Sequence, residues 1–232
     1  MTILSGQNHP TLRQLRAVIL DYGDVISLPA NPAVIEQMAA KFGVTEVRFR
    51  ELYGSPRLAY DRGTLNAHEY WTVIANAAGV RLAASDIAAL READVDMWSR
   101  LNPSILAWAD KLRGVGLKTA VLSNMHADMI AHLQANGEWT ERFDFLALSS
   151  ALGMAKPEPQ IFEYCTRGLG VSSAEALFID DREINVEAAL RVGLNAIFAP
   201  SMTELRLALE RLGFSPLPEI NCPEPNATAT LQ

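Results

Sequence analysis

The amino-acid sequence predicts an α/β fold: a doubly wound parallel sheet with a helical cap inserted after the first strand. From Leu101 onward, short apolar runs alternate with helical patterns, whereas residues 29 to about 98 have helical patterns and no convincing buried strand. Strands that alternate with helices of ten or more residues are typical of βαβ units, whose parallel sheet is covered on both faces. The first strand, residues 16–20, belongs to the same sheet by its composition.

The elements of the predicted core follow one another in the second half of the chain. Strands are predicted for LKTAVLSN, FDFLALSS, EALFIDD and LNAIFAP, and helices for MHADMIAHLQANG, PQIFEYCTRGLG, INVEAALRVG and MTELRLALERLG. In the inserted segment, PAVIEQMAAKFG and NAHEYWTVIANAAG have helical periodicity. We therefore expect a core of residues 1–28 and 99–213 and a cap of residues 29–98. Such a cap lies beside the carboxyl ends of the strands, where open α/β sheets bind ligands.

The last part of the chain has a different composition. Residues 214–232 contain four prolines and no periodicity. Such a composition predicts an extended or disordered tail. An alternative is that an apolar Leu or Ile of the tail docks locally.

The overall composition restricts the class of protein. The 232 residues are 49% hydrophobic and carry a net charge of -7, which suits one large domain or a domain with a small insert and argues against nucleic acid or anionic membranes as partners. No run approaches the roughly 20 apolar residues of a membrane span, and the N-terminus has no signal-peptide pattern. Cys165 and Cys222 form no metal-ligand spacing. We expect a cytoplasmic protein, as a monomer or a homodimer.

Polar side chains lie just after four of the predicted strands. They are Asp21 in ILDYGDV, Ser123 and Asn124 in AVLSN, Lys156 in GMAKPEP, and Asp180 and Asp181 in LFIDDREIN. Because all carboxyl ends of a parallel sheet lie on one edge, these groups converge although they are distant in the chain. Three carboxylates suit a hard divalent cation such as Mg²⁺. A hydroxyl, an amide and an ammonium suit phosphate oxygens, and a carboxylate is able to attack phosphorus.

In this order, the four segments resemble the motifs of the haloacid dehalogenase superfamily of phosphatases and related hydrolases. The resemblance extends from about Arg16 to Gly213, and GMAKPEPQIFE and FIDDREINVEAALRVGL resemble in particular the branch of sugar-phosphate phosphatases and epoxide-hydrolase N-terminal domains. It implies a Rossmann-like core, Mg²⁺ as cofactor, and a phosphatase acting on a small phosphorylated metabolite. A sugar phosphate is the favoured substrate, hydrolysed through an aspartyl-phosphate intermediate.

The resemblance also implies roles for single residues. Asp21 would be the nucleophile and would bind Mg²⁺ together with Asp180 and the backbone carbonyl of Gly23. Asp181 would act as a second ligand or in the outer shell of the metal. Asn185 would orient the loop that carries both aspartates.

The phosphoryl group would be held by a second set of residues. The resemblance implies that Ser123 and the backbone amide of Asn124 bind its oxygens, and that Lys156 neutralises charge between Asp21 and the phosphate. Stabilisation of this charge is usually the largest catalytic contribution. An alternative for Ser123 and Asn124 is the capping of the helix that follows them.

Gly23 departs from the commoner pattern of the family, in which a second aspartate two residues after the nucleophile acts as general acid and base. The metal ligand at this position is a main-chain oxygen, which glycine retains, and the resembling sugar-phosphate branch tolerates Asp-x-Gly. Asp24 is the nearest carboxylate, but its position in a tight turn argues against direct substitution. Since acid–base catalysis contributes about 10² to 10⁴-fold, we expect good leaving groups, such as sugar 1-phosphates and aryl or acyl phosphates, to be preferred.

Two other functions stay open at this stage. A haloacid dehalogenase uses the same aspartate on carbon without a metal, but that branch has a tyrosine two residues after the nucleophile, whereas Tyr22 follows Asp21 directly. A binding protein without catalysis is suggested by Gly23 alone. A buried carboxylate cluster without a metal is costly, so the retained aspartates argue against it.

The cap would select the substrate. The segment SPRLAYDRGTLNAHEYW offers polar and aromatic candidates for substrate contact. These candidates are Arg57, Tyr60, Arg62, His68 and Trp71. The alternative for the Tyr70 and Trp71 pair is a packing face of a helix, and lone arginines are usually solvated.

Overall fold

A five-stranded parallel sheet forms the centre of the structure, a computed structural model that describes residues 15–219. The strands are β1 (Ala17–Leu20), β2 (Lys118–Ser123), β3 (Phe145–Leu148), β4 (Ala176–Asp180) and β5 (Asn195–Phe198). Their order in the sheet is β3-β2-β1-β4-β5, and every neighbouring pair is parallel. The predicted doubly wound α/β fold is confirmed. The chain leaves β1 towards one side and returns to β4 on the other, which makes the ends of β1 and β4 the switch point.

Helices cover both faces of the sheet. The helices after the cap are α6 (Pro103–Gly114), α7 (Ala127–Ala135), α8 (Ser149–Leu152), α9 (Pro159–Leu169), α10 (Glu183–Arg191) and α11 (Met202–Arg211). Val18 and Leu20 of β1 pack on one face with α6, α7 and α11, whereas Ala17 and Ile19 pack on the other with α9 and α10. All four residues of β1 are buried, as expected for a strand without a solvent face. Cys165 of α9 is fully buried in this second layer.

Five α-helices lie between β1 and α6. They are α1 (Pro32–Lys41), α2 (Glu46–Gly54), α3 (Arg57–Arg62), α4 (Ala67–Ala78) and α5 (Ala84–Trp98). These helices bury a hydrophobic cluster of their own, which is centred on aromatic residues such as Phe42, Tyr70 and Trp71. The two chain segments that connect this cluster to the sheet lie side by side. The Leu28 N–H donates to the Arg100 carbonyl over 2.7 Å, and the Asn102 N–H donates to the Ile26 carbonyl over 2.8 Å.

The first residues of the predicted tail are packed rather than disordered. Phe214 is buried and lies edge-on to Trp108 at 6.3 Å between ring centroids. The Trp108 indole N–H donates to the Pro216 carbonyl over 2.8 Å, and Lys111 forms an ion pair with Glu219. The prediction of a disordered tail is therefore wrong for residues 214–219, because aromatic burial holds them against α6. Residues 220–232 lie outside the described residues.

Membrane insertion of a helix has no support within residues 15–219. None of the helices described there combines the length and the apolar character that a membrane crossing requires.

Candidate active site

The ends of β1 and β4 bring two predicted site residues together. Leu20 pairs with Ile179 in the sheet, and the Asp21 N–H donates to the Ile179 carbonyl over 2.9 Å. Asp21 therefore leaves β1 next to the point where Asp180 ends β4. Both side chains are buried, with Asp180 fully inaccessible.

Lys156 joins these two carboxylates. Its Nζ lies 2.7 Å from Asp21 Oδ1 and 2.6 Å from Asp180 Oδ2, and its side chain is almost completely buried. The neighbouring carboxylates raise the pKa of Lys156 against the opposing effect of burial, which acts to lower it. A charged lysine thus lies between the predicted nucleophile and the predicted metal ligand.

The loop after β2 holds Lys156 in this position. The Asn124 side chain accepts from Lys156 N–H over 2.8 Å and donates to the Lys156 carbonyl over 2.8 Å. Ser123, at the end of β2, is also buried. Neither residue caps the following helix, because α7 begins after His126. The capping alternative for Ser123 and Asn124 is therefore wrong, and the side chain of Asn124 has a positioning role that the sequence did not indicate.

Three carboxylates form a cluster beside Lys156. Asp21, Asp180 and Asp181 offer oxygens that lie within 4.8 Å of one another. Burial, and after it the Asp180 charge, raises the pKa of Asp21 to about 8, although Lys156 acts in the opposite direction. Burial, and after it the Asp180 charge, also raises the pKa of Asp181 to about 6. One ammonium does not balance this set, so its charge and its oxygen donors fit a hard divalent cation.

Asn185 orients the Asp180 carboxylate. Its Nδ2 donates to Asp180 Oδ1 over 3.0 Å and lies 3.1 Å from Oδ2. The backbone N–H of Arg182 donates to Asp180 Oδ1 over 2.8 Å. These contacts hold the Asp180 carboxylate at the end of β4 from the first turn of α10, in keeping with the orienting role that the sequence predicts for Asn185.

The turn after Asp21 explains what glycine does at position 23. Gly23 has a φ of -63° and a ψ of 132°, which any residue adopts, and Asp24 follows with a φ of 56°. A Cβ built on Gly23 would meet only Trp98 Cζ3, at 3.9 Å. The backbone therefore accepts a Cβ at position 23 without a clash, and the glycine removes a functional group rather than a steric conflict at that atom. The Asp24 side chain is exposed and its N–H donates to Ser27 Oγ over 3.2 Å.

These residues line one cavity of ≈ 180 Å³ between the sheet edge and the cap. The predicted site residues on its wall are Asp21, Gly23, Ser123, Asn124, Lys156, Asp181 and Asn185. Asp180 is buried behind this wall. The residues of the wall that were not predicted as site residues include Tyr22, Tyr53, Asp61, Trp98, His126 and Arg182.

A second charged cluster faces the cavity from the cap. Arg57 Nε lies 2.9 and 3.0 Å from the two oxygens of Asp61, and Nη1 lies 3.0 Å from Asp94 Oδ1. Tyr53 accepts from Arg57 and donates to Asp94 over 2.5 Å. His126 Nε2 lies 3.4 Å from Asp94 Oδ2 without a hydrogen bond. Burial lowers the pKa of His126 to about 4, so the ring is neutral at pH 7.

The candidate substrate contacts of the cap have different outcomes. Arg57 lines the cavity, whereas Tyr60 donates to Asp128 over 3.1 Å and Arg62 pairs with Glu158. His68 lines a different depression, and Trp71 is fully buried in the cap, as the packing alternative predicted. Asp61 was missed, although its i,i+4 spacing from Arg57 was a readable signal for an ion pair.

Comparison with known families agrees with this site. The family model described as haloacid dehalogenase-like hydrolase matches residues 7–193. The chain belongs to this family.

Curated relatives of this haloacid dehalogenase-like chain include proteins of different activity. It is 25% identical over 201 residues to acyl-CoA dehydrogenase family member 10 of Mus musculus, covering 82% of the chain and 18% of that protein. It is 27% identical to the sesquiterpene phosphatase astK of Aspergillus oryzae, covering 77% and 87%, and 29% identical to the (S)-2-haloacid dehalogenase of Xanthobacter autotrophicus, covering 70% and 58%. The chain thus spans less than a fifth of the mouse protein's length.

Solved structures share the fold. A haloacid dehalogenase family enzyme from Bacteroides thetaiotaomicron superposes with a TM-score of 0.65 at 24% identity, covering 78% of this chain and 92% of that chain. The same enzyme has been crystallised with magnesium and inorganic phosphate, and this form has a TM-score of 0.62. At this level of identity the likeness concerns the fold alone.

Proposed function

We propose that this protein is a Mg²⁺-dependent phosphatase that hydrolyses a small phosphorylated metabolite, with a sugar phosphate as the favoured class. The observation that supports the proposal best is the cluster of Asp21, Asp180 and Asp181 around one buried lysine. Such a cluster combines a nucleophile, a set of hard oxygen donors and a fixed positive charge. The sesquiterpene phosphatase relative is in keeping with this reaction class.

The metal would be held by the three carboxylates and by the main-chain carbonyl of Gly23. Mg²⁺ bound there would supply positive charge beside the phosphoryl oxygens and would favour the ionised form of the carboxylates. The chain itself would supply the nucleophile Asp21, whose Oδ1 accepts the Tyr22 N–H over 2.6 Å. Lys156 would neutralise charge as Asp21 attacks phosphorus and an aspartyl-phosphate forms.

The phosphoryl oxygens would be bound at the end of β2. Ser123 and Asn124 line the cavity beside Asp21, where a hydroxyl and a backbone N–H suit a phosphate. Asn185 would keep the Asp180 carboxylate oriented towards the metal. The monomeric or dimeric state and the cytoplasmic location stay predictions from the sequence.

Dehalogenation is the competing reaction, since a haloacid dehalogenase is among the relatives. A dehalogenase has no use for a divalent cation, whereas Asp181 adds a third carboxylate to a buried pair that Lys156 already bridges. Unbalanced charge of this kind is costly unless a cation compensates it. The number of carboxylates therefore favours hydrolysis of a phosphate ester over release of a halide.

The test measures phosphate release from a panel of monoesters with and without Mg²⁺. The panel contains sugar 1-phosphates, sugar 6-phosphates, nucleotides and an aryl phosphate, and a parallel assay measures halide release from (S)-2-chloropropionate. We expect Mg²⁺-dependent phosphate release that Asp21→Asn abolishes. Metal-independent halide release would replace the proposal by a dehalogenase, and loss of neither activity in Asp21→Asn would reject Asp21 as nucleophile.

A further inference from the structure

The proposed reaction needs a proton donor and a proton acceptor that position 23 does not provide. The leaving alcohol has to gain a proton, and the water that hydrolyses the aspartyl-phosphate has to lose one. The cavity wall offers several other titratable groups from both the sheet edge and the cap. These groups differ in their hydrogen bonds, their burial and their pKa, and the differences decide which of them is able to transfer a proton.

Most of these groups are occupied or have the wrong protonation state. Tyr22 donates its hydroxyl hydrogen to the Trp98 carbonyl over 2.7 Å, and burial raises the pKa of Tyr53 far above its usual range. His126 is neutral and fully buried. Lys156 is bound to two carboxylates. With the metal-binding carboxylates set aside, Asp24 and Asp61 are the remaining acids of the described wall.

Asp24 and Asp61 differ in how firmly they are held. The exposed carboxylate of Asp24 also lines the cavity, but it makes no hydrogen bond or ion pair within residues 15–219 that would fix its orientation. Asp61 is 6% exposed, and both of its oxygens lie within 3.0 Å of Arg57 Nε. A catalytic group is effective when its own neighbours fix its orientation.

We propose that Asp61 of the cap is the general acid and base of this site, in place of the carboxylate that is absent at position 23. This inference rests on the proposed phosphatase function. Asp61 lies on α3, on the wall of the cavity that also contains Asp21. Ser149 of α8 donates its hydroxyl to the Asp61 carbonyl, so a contact with the core fixes the backbone of Asp61 above the sheet edge.

The electrostatic surroundings of Asp61 suit this role. Burial raises the pKa of Asp61 to about 6, Arg57 of the same helix acts to lower it, and Asp94 of α5 acts to raise it. Arg182, at the start of α10, also acts to lower the pKa. An acid that titrates near neutral pH exchanges protons in both directions with little penalty.

The proton balance closes over one cycle. Asp21 forms a bond to phosphorus while the bond from phosphorus to the ester oxygen breaks, and protonated Asp61 gives its proton to the departing alkoxide. Ionised Asp61 then takes a proton from water, whose oxygen attacks phosphorus while the bond to Asp21 breaks. Inorganic phosphate leaves, and both carboxyl groups return to their starting forms. The restriction to good leaving groups, expected from Gly23 alone, is thereby relaxed.

The test compares Asp61→Asn with the matched variant Asp24→Asn, each loaded with Mg²⁺. For Asp61→Asn we expect kcat on an alkyl phosphate such as glycerol 3-phosphate to fall about 10²-fold. On p-nitrophenyl phosphate the same variant should release a burst of one nitrophenolate per protein, followed by slow turnover. The aryl leaving group needs no acid, but the aspartyl-phosphate still needs the base. Asp24→Asn should stay within about threefold of the parent protein.

A second substitution restores the missing group. Gly23→Asp in the Asp61→Asn background should raise kcat on the alkyl phosphate at least tenfold above that of Asp61→Asn, because the backbone at position 23 accepts a Cβ without a clash. Asp61→Glu, which retains the charge beside Arg57 but displaces the carboxyl group by one methylene, serves if Asp61→Asn does not fold; its kcat should still fall, by less than in Asp61→Asn, and Gly23→Asp should raise it again.

Three results would overturn the inference. They are an unchanged kcat on the alkyl ester in a folded Asp61 variant, the appearance of the burst in Asp24→Asn instead, or the absence of rescue by Gly23→Asp. If the parent protein releases no phosphate from any ester with Mg²⁺, the proposed function itself fails, and this outcome is visible before any variant is compared.

Discussion

Two buried charge clusters face each other across the cavity, and their construction differs. In the core cluster, Asp21 and Asp180 stand at strand ends, where backbone pairing in the sheet determines that they meet, and Lys156 reaches both from a loop that Asn124 holds. The cap cluster of Arg57, Asp61 and Asp94 is built from side chains of two helices, whose packing determines the contacts.

The two clusters also differ in charge. When Asp181 is included and every group is ionised, the core cluster has three carboxylates for one ammonium, which leaves two negative charges to be balanced. The cap cluster has two carboxylates for one guanidinium, which leaves one. The uncompensated charge therefore indicates what each cluster takes up: a divalent cation in the core and a proton in the cap.

The largest effect should come from the core nucleophile. Asp21→Asn should lower kcat by about 10⁴-fold or more, since loss of a nucleophile removes the covalent route. The same change should not lower the thermal unfolding midpoint in EDTA, because burial disfavours the charge that it removes. Activity assays and thermal unfolding of one preparation measure both effects. A large loss of stability would mean that Asp21 supports the fold rather than the reaction.

Removal of the positive charge of Lys156 in the core cluster should affect both activity and stability. Lys156→Met leaves Asp21 and Asp180 without their counter-charge, so kcat should fall about 10²- to 10³-fold and the free energy of unfolding by about 3 kcal/mol. Urea unfolding measures the second value. Lys41→Met is the matched control, since Lys41 pairs with Asp86 on the surface and should contribute less than about 1 kcal/mol. Equal costs for both variants would contradict the importance of the buried position.

Removal of the positive charge of Arg57 in the cap cluster should act mainly on stability. Arg57→Met leaves Asp61 and Asp94 buried beside each other, with an expected cost of about 2 to 3 kcal/mol in urea unfolding. Without Arg57 the pKa of Asp61 should rise further, because the guanidinium acts to lower it. Arg48→Met, in an exposed pair with Glu51, is the control. If Arg57→Met cost no more than Arg48→Met, the cap cluster would not be a structural unit.

The last prediction concerns the pH dependence of stability without metal. The pKa of Asp21 is about 8 in the folded protein and about 4 in an unfolded chain. The folded state therefore binds more protons between these values, and stability falls as the pH rises from about 4 to about 8. The unfolding midpoint in EDTA should be lower at pH 8 than at pH 5, and Mg²⁺ should raise it more at pH 8. Asp21→Asn should weaken this slope, and an equal Mg²⁺ effect at both pH values would contradict the assignment.

The sequence predicted the core site better than the cap site for a physical reason. Asp21, Ser123 and Asp180 each follow an apolar strand, and parallel strands end on one edge whatever packs on their faces. The cap helices carry no such rule. The i,i+4 spacing of Arg57 and Asp61 signals a pair, but their burial and the approach of Asp94 depend on how α3 and α5 pack.

The sequence by itself determined the parallel α/β sheet, the insertion point of the cap and the residues at the strand ends, because these follow from periodicity and order along the chain. The tertiary structure decided which residues the cap adds to the cavity, how Asn124 holds Lys156, and that residues 214–219 pack on α6. Side-chain contacts between elements depend on distances and burial that no local pattern encodes. The position of Asp61 above an active site without a second aspartate is a contact of that kind.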